Sequence, residues 1–257
     1  MTAPQLQSAT LARAPRAEPA YRLRLASRAS EVHAAQALRF EVFNVELDEG
    51  LVQSYDTGLD ADPFDDVCDH LIVEDAASGA VVGTYRVQTG LRARAGLGYY
   101  SEREFDFTPF EAARGQILEL GRACIHDKHR NFAVLNLLWK GIGTYAREHG
   151  ARYLIGCSSI TSQDAAQGAT AYRKLLPHLA PQGWRTLPRA AFACPLDRVA
   201  AEAPRVPRLL TAYLAMGAAI CGEPALDREF RTIDFLTWVD VEAPAVAAMQ
   251  ARGRFVV

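Results

Sequence analysis

Gly115–His149 reads GQILELGRACIHDKHRNFAVLNLLWKGIGTYAREH, and this stretch decides the fold class. Its first part, Gly115–Ile125, is an apolar run of strand length that carries Glu119, Gly121 and Arg122 inside it. Its second part, Asn131–His149, sets Val134, Leu135, Leu138, Ile142 and Tyr145 on one side of a helix. A strand feeding a helix is the repeating unit of layered α/β folds. Upstream, Tyr21–Leu25 alternates as an opening strand, and Ala34–Asn44 has helical spacing around Arg39. His70–Glu74 and Ala80–Gln88 are two β-rich runs joined through Ala77-Ser78-Gly79, which predicts a hairpin. Downstream, Arg152–Ile160 predicts a strand and Gln163–Leu176 a helix that stops at Pro177. The order β-α-ββ-β-α-β-α implies a mixed α/β sheet sandwiched by helices.

The 257 residues suffice for one sizeable core, with 49% apolar and 23% charged residues. Residues 1–20 mix Ala, Pro and Arg without the apolar stretch of a secretory signal, and read as a mobile tail. The core is expected over 21–180, with 181–257 as a C-terminal extension packed on it. Pro181–Pro207, rich in Pro and Arg, is the loop-bearing connection. A net charge of −2 speaks against a nucleic-acid partner. The five cysteines are odd in number, widely spaced and free of any Cys-x-x-Cys pair, so neither a disulfide framework nor a metal site is expected, and the thiols read as reduced and cytoplasmic. No run reaches the roughly 20 apolar residues of a membrane span. Leu209, Leu210, Tyr213, Leu214 and Met216 beside Arg205 and Arg208 leave two readings open: a helix resting peripherally on an anionic lipid surface at the inner membrane face, or one packed on the core.

Charges set inside apolar elements need partners, and three segments have them: Leu38–Phe43 with Arg39, Gly83–Val87 with Arg86, and Leu118–Arg122 with Glu119 and Arg122. Glu119 and Arg122 point to opposite faces of a strand unless a bulge intervenes, and Gly121 makes a bulge cheap. A strand splayed there leaves backbone N–H groups free to hold a thioester carbonyl or pantetheine amides. A plain Arg39–Glu119 ion pair tying helix to sheet is the competing reading. His126–Asn131 puts Lys128 and Arg130 at the start of the following helix, where an anion is favoured, although a solvated charge cluster reads equally well.

These segments together resemble the ornithine N-acyltransferases of ornithine lipid synthesis, within the Gcn5-related (GNAT) superfamily. The likeness spans roughly residues 21–241 and rests on Leu38–Phe43, Phe64–Leu71, Glu119–Arg122, Gly156–Ile160, Tyr213–Ala218, Asp227–Phe230 and Thr232–Phe235 in that order. The chain is more distantly similar to acyl-homoserine-lactone synthases, whose charged set matches at Arg39, Phe43, Asp62 or Asp65, Arg86, Glu119 and Arg122. It departs from them at Glu46–Gly50, where an aromatic is expected, which argues against adenosylmethionine chemistry.

The resemblance implies a mostly antiparallel GNAT sheet. It implies transfer of a long, often 3-hydroxylated, acyl group from acyl carrier protein to the α-amine of ornithine, with no metal or bound cofactor. Another amino-acid acceptor, or a non-catalytic carrier-binding module, are the rival readings. Within the implied enzyme, Glu119 accepts the amine's proton, with Arg39 and Arg122 setting its charge state. Tyr172 protonates the departing thiolate. Asp65, Asp66 and Asp69, with Asp62, Arg86, Ser158 and Ser159, bind the substrate. Lys128, Arg130 and Asn131 hold the donor's phosphopantetheine.

Overall fold

The computed structural model describes residues 19–202, 204–244 and 246, so nearly all of the tail expected over residues 1–20 lies outside the described residues. The chain runs β1 (Tyr21–Leu25), α1 (Ala29–Phe40), a short α2 (Ser54–Thr57), the hairpin β2 (Asp69–Asp75) and β3 (Val81–Thr89), then α3 (Gly90–Ala95). It continues as β4 (Ile117–Ile125), α4 (Phe132–Glu148), β5 (Tyr153–Thr161) and α5 (Ala165–Leu175), ending in α6 (Arg208–Ala215), β6 (Ala219–Ile220), β7 (Ala225–Asp227) and β8 (Thr232–Asp240). The first helix begins earlier than its apolar spacing suggests. The Glu31 carboxylate accepts from the Ser27 and Arg28 N–H groups and so fixes the start. At its other end it loosens into a π-turn, Glu41–Glu46. The structure shows Asn131 and Asp164 capping α4 and α5 through their side chains.

All strands join one sheet, ordered β1-β2-β3-β4-β5-β8-β6 with β7 also on β8. Every pairing is antiparallel except β4 with β5. The residues after 180 therefore supply three strands of the same sheet, which the periodicity of the tail did not reveal. Alternation along the strands divides the core. Leu71, Val73, Tyr85, Val87 and Leu118 pack with α4, whereas Leu38 of α1 and Val42 of the π-turn pack with Cys124 on the other face. Gly83 packs closely under α4, where a Cβ would lie 3.0 Å from a Val134 methyl. The apolar side of α6 packs inward: Leu210 and Met216 are buried, and Leu209, Tyr213 and Leu214 pack against the core. Of the two readings of that helix, core packing is the one observed.

Two local features position the site. The strands β4 and β5 pair only over Ile117–Glu119 with Tyr153–Ile155, and β5 then follows β8 for its full length. Beyond that point the sheet opens as a wedge. Its apex is tight, because a Cβ on Gly156 would stand 2.1 Å from the Leu120 carbonyl oxygen. The second feature is a bulge in β4 opposite Tyr85, where the register with β3 shifts between Thr84 and Arg86. The expected bulge is present, but the left-handed residue is Arg122 (φ 49°) and not Gly121. A non-glycine residue holds that conformation only when its surroundings over-determine it, and ion pairs at Arg122 do so.

Candidate active site

Arg122 belongs to a buried cluster of three arginines and three aspartates. Its Nε lies 3.1 Å from Asp60 Oδ2 and its Nη2 3.0 Å from Asp62 Oδ2. Arg39 sits 2.9 Å from the same Asp60 oxygen and donates two hydrogen bonds to Asp65 at 2.9 and 2.7 Å. Arg86 bridges Asp62 (2.6 Å) and Asp65 (3.0 Å). The aspartates come from the turn between α2 and β2, a segment with no periodic signal. Burial alone would raise the Asp62 and Asp65 carboxyls, but the guanidiniums outweigh it and hold both below the ordinary range. The Arg122 guanidinium also stacks over Tyr100 (4.8 Å) and Phe230 (4.4 Å).

Glu119 makes no ion pair with Arg39 or Arg122. Its carboxylate accepts from the Tyr100 N–H (2.7 Å), the Ser101 N–H (2.8 Å) and the Ser101 hydroxyl (2.5 Å), all on the 3₁₀ turn Tyr100–Arg103. The expected Arg39–Glu119 pair is thus replaced by Arg39–Asp60–Arg122. Asp60, Asp62 and Asp65 occupy the two guanidiniums, and the Tyr100–Ser101 donors occupy Glu119. Burial pushes the Glu119 carboxyl above its usual range, while the Ser101 and Tyr100 donors and the Arg86 charge restrain the rise. A carboxyl raised in this way takes up a proton more readily than a free one.

A cavity of about 350 Å³ runs through the wedge and is divided by the pleat. On the α4 and α6 side its wall is apolar, built from Tyr85, Trp139, Ile142, Leu154, Leu209 and Met216. On the α1 side its wall carries Arg86, Ser101, Glu119, Arg122, Asp227 and Asp234, with Glu49 beside them. Burial pushes Glu49 to about 7 and Asp234 to about 6, and raises Glu104, which touches Asp234, well above its ordinary value.

Residues 38–140 match the acetyltransferase (GNAT) domain family. The chain is 35% identical over 237 residues to an L-ornithine N(alpha)-acyltransferase of Rhodobacter capsulatus, covering 87% of this chain and 91% of that protein. It is 33% identical to the protein of the same name from Brucella abortus, covering 86% and 84%. The chain belongs to the L-ornithine N(alpha)-acyltransferase family. It is an acyltransferase with a GNAT domain. Among solved structures, the N-acyl amino acid synthase FeeM from uncultured soil microbes superposes with a TM-score of 0.54 at 13% identity, over 87% of this chain and 93% of that one. The AHL synthase LasI gives 0.52 at 10%, over 92% and 96%. These two share the fold.

For this acyltransferase the expected site residues divide in three. Glu119, Arg122, Arg86, Ser158 and Ser159 line the cavity. Arg39, Asp62 and Asp65 stand behind it, neutralised in the ion-pair cluster, so Asp62 and Asp65 are not free to meet a substrate cation. The remainder lie elsewhere. Asp66 is exposed, and Asp69 accepts from Arg92 (2.7 Å) and the Tyr145 hydroxyl (2.6 Å). Tyr172 packs on α5 against Leu175, Leu210 and their neighbours, outside the cavity; the hydroxyls lining it include those of Tyr85, Tyr100 and Tyr213. Arg130 is held by Glu46, Asn131 caps α4 and donates to Tyr21, and Lys128 lies on the exposed loop; none of the three lines the cavity.

The residues not foreseen are Asp60, Ser101, Glu104 and the carboxyls of Glu49, Asp227 and Asp234. Asp234 did leave a signal, as a lone charge between Ile233 and Phe235 in an apolar run.

Proposed function

We propose that this acyltransferase moves a long, 3-hydroxylated acyl group from acyl carrier protein to the α-amine of L-ornithine, the first step of ornithine lipid synthesis. The carrying observation is the division of the cavity at the wedge, apolar on one side of the sheet and carboxyl-rich on the other. An acyl chain suits the first side and an amino acid the second. The thioester between them meets the strand edges freed where β4 leaves β5, whose N–H groups can polarise its carbonyl. The amine nitrogen bonds to the thioester carbon, the C–S bond breaks, and Glu119 takes the amine's proton while the thiolate leaves. The names of the relatives support ornithine as acceptor. A carrier-borne phosphopantetheine is favoured over coenzyme A, because the loop before α4 has no glycine between Gly121 and Gly141 with which to cradle a pyrophosphate.

The test supplies purified protein with a long-chain 3-hydroxyacyl carrier protein and ornithine, following free carrier thiol and the mass of the product. Nα-acylornithine is expected, and Glu119→Gln, checked as folded, should slow its formation by about 10²–10⁴-fold. Absence of thiol release with every acyl carrier protein, or undiminished turnover in the folded variant, rejects the reading.

A further inference from the structure

The Arg–Asp cluster pairs each of its aspartates with a guanidinium, yet on the other side of Glu119 three buried carboxyls have no such partner. Glu49, Glu104 and Asp234 are 6%, 1% and 3% exposed. Among the described residues no Lys, Arg or His lies in ion-pair contact with any of them. Among the described residues Glu49 accepts only from the Thr161 hydroxyl, and Glu104 faces Asp234 and the Cys157 thiol. Apart from a proton that the two carboxyls can share, Oε1 of Glu104 and Oδ1 of Asp234 have no hydrogen-bond partner among the described residues. Asp234 and Glu49 line the cavity, as does Asp227, whose Oδ1 is spent on the N–H groups of Glu229 and Phe230. Buried carboxyls held neither by a guanidinium nor by backbone N–H groups call for a cation from outside.

We propose that Asp234 and Glu104, with Glu49 beside them, seat the side-chain ammonium of the acceptor amino acid and so select a diamino acid. The inference rests on the proposed acylation of an amino acid's α-amine and adds where its far end lies. One turn of backbone sets the spacing. Ser101, whose N–H and hydroxyl hold Glu119, and Glu104, which caps the same 3₁₀ turn through its N–H bond to the Ser101 carbonyl, are three residues apart. That is about 6 Å at a rise of roughly 2.0 Å per residue. The α- and side-chain nitrogens of ornithine are separated by five covalent bonds of about 1.5 Å, an extended span of the same size. With the α-amine at Glu119, the ammonium meets Asp234 at the cavity wall, and Glu104, outside the lining, backs Asp234 with a second carboxyl. Burial keeps this group of carboxyls partly protonated at neutral pH, so an arriving ammonium displaces a carboxyl proton to solvent.

Two measurements test this. In the first, kcat/KM is compared for ornithine and norvaline, which lacks the ammonium, with wild type, Asp234→Asn and Glu104→Gln, each checked as folded by thermal melting. Wild type should favour ornithine, and each variant should cut that ratio by about 30-fold or more. In the second, wild type alone is titrated calorimetrically at pH 7 in buffers of different ionisation enthalpy, which needs no variant to fold. Ornithine should release more protons than norvaline does. An ornithine-to-norvaline ratio unchanged in the folded variants, or equal proton release, overturns the seat. So does ornithine preference that disappears on removing a divalent ion held by Glu104, Cys157 and Asp234. A wild-type enzyme that acylates neither amino acid overturns the proposed function instead.

Discussion

Asp60 is the keystone of the buried ion-pair cluster, and its removal has a calculable effect. The residue is fully buried, and one carboxylate oxygen stands 2.9 Å from Arg39 and 3.1 Å from Arg122. In Asp60→Ala the cluster passes from three cations and three anions to an excess positive charge with no water to screen it. Removing one partner of a buried pair costs about 3–5 kcal/mol. For a chain of this size each kcal/mol lowers Tm by about 2–4 °C, so a fall of roughly 6–20 °C is expected. Arg122→Ala should destabilise comparably, since it leaves three aspartates to two arginines and removes the stacking on Phe230 and Tyr100. The double variant restores neutrality and should therefore cost at least about 1 kcal/mol less than the two single losses combined. Urea unfolding of the four proteins, with Asp60→Asn as the shape-preserving control, supplies the measurements. Additivity within about 0.5 kcal/mol, or a loss under 1 kcal/mol in Asp60→Ala, would refute the account of the cluster as one electrostatic unit.

Two further expectations follow from the same geometry. Gly156→Ala places a Cβ 2.1 Å from the Leu120 carbonyl oxygen, so β4 and β5 must part at the apex of the wedge; a loss of about 1–3 kcal/mol in urea and a raised KM for the acyl donor are expected. Glu49, ordinarily near 4.5, titrates in the fold at about 7, so the folded protein binds the extra proton between those values. Its contribution is fully present below about pH 4.5 and is lost as pH rises through 7, about 3 kcal/mol in all. Urea midpoints across that range should fall with pH in wild type and fall less steeply in Glu49→Gln, where Asp234 and Glu104 still contribute.

How much of this was legible in the sequence depended on periodicity. The strand and helix of residues 115–149, the hairpin and α5 all declare themselves, because each buries a face at the spacing of its own secondary structure. Arg39, Arg86, Glu119 and Arg122 were legible for the same reason: a charge inside a buried periodic element must be compensated. Their partners were not. Asp60, Asp62 and Asp65 approach from a loop, and Ser101 reaches Glu119 from a 3₁₀ turn, where spacing along the chain says nothing about direction in space. The tail shows the same rule applied too narrowly. Thr232-Ile233-Asp234-Phe235 sets one carboxyl between two residues that the structure buries completely, and Leu118-Glu119-Leu120 sets another between one buried and one partly buried leucine. In both, the charge falls on the side of the sheet away from its nearer apolar neighbours. Because β8 lies along β5 and β5 meets β4 at the wedge, both charges reach one cavity from two strands. What separates them is compensation: backbone N–H groups and a hydroxyl hold Glu119 within the fold, whereas Asp234 is set against a second carboxyl, an arrangement that a substrate's positive charge completes.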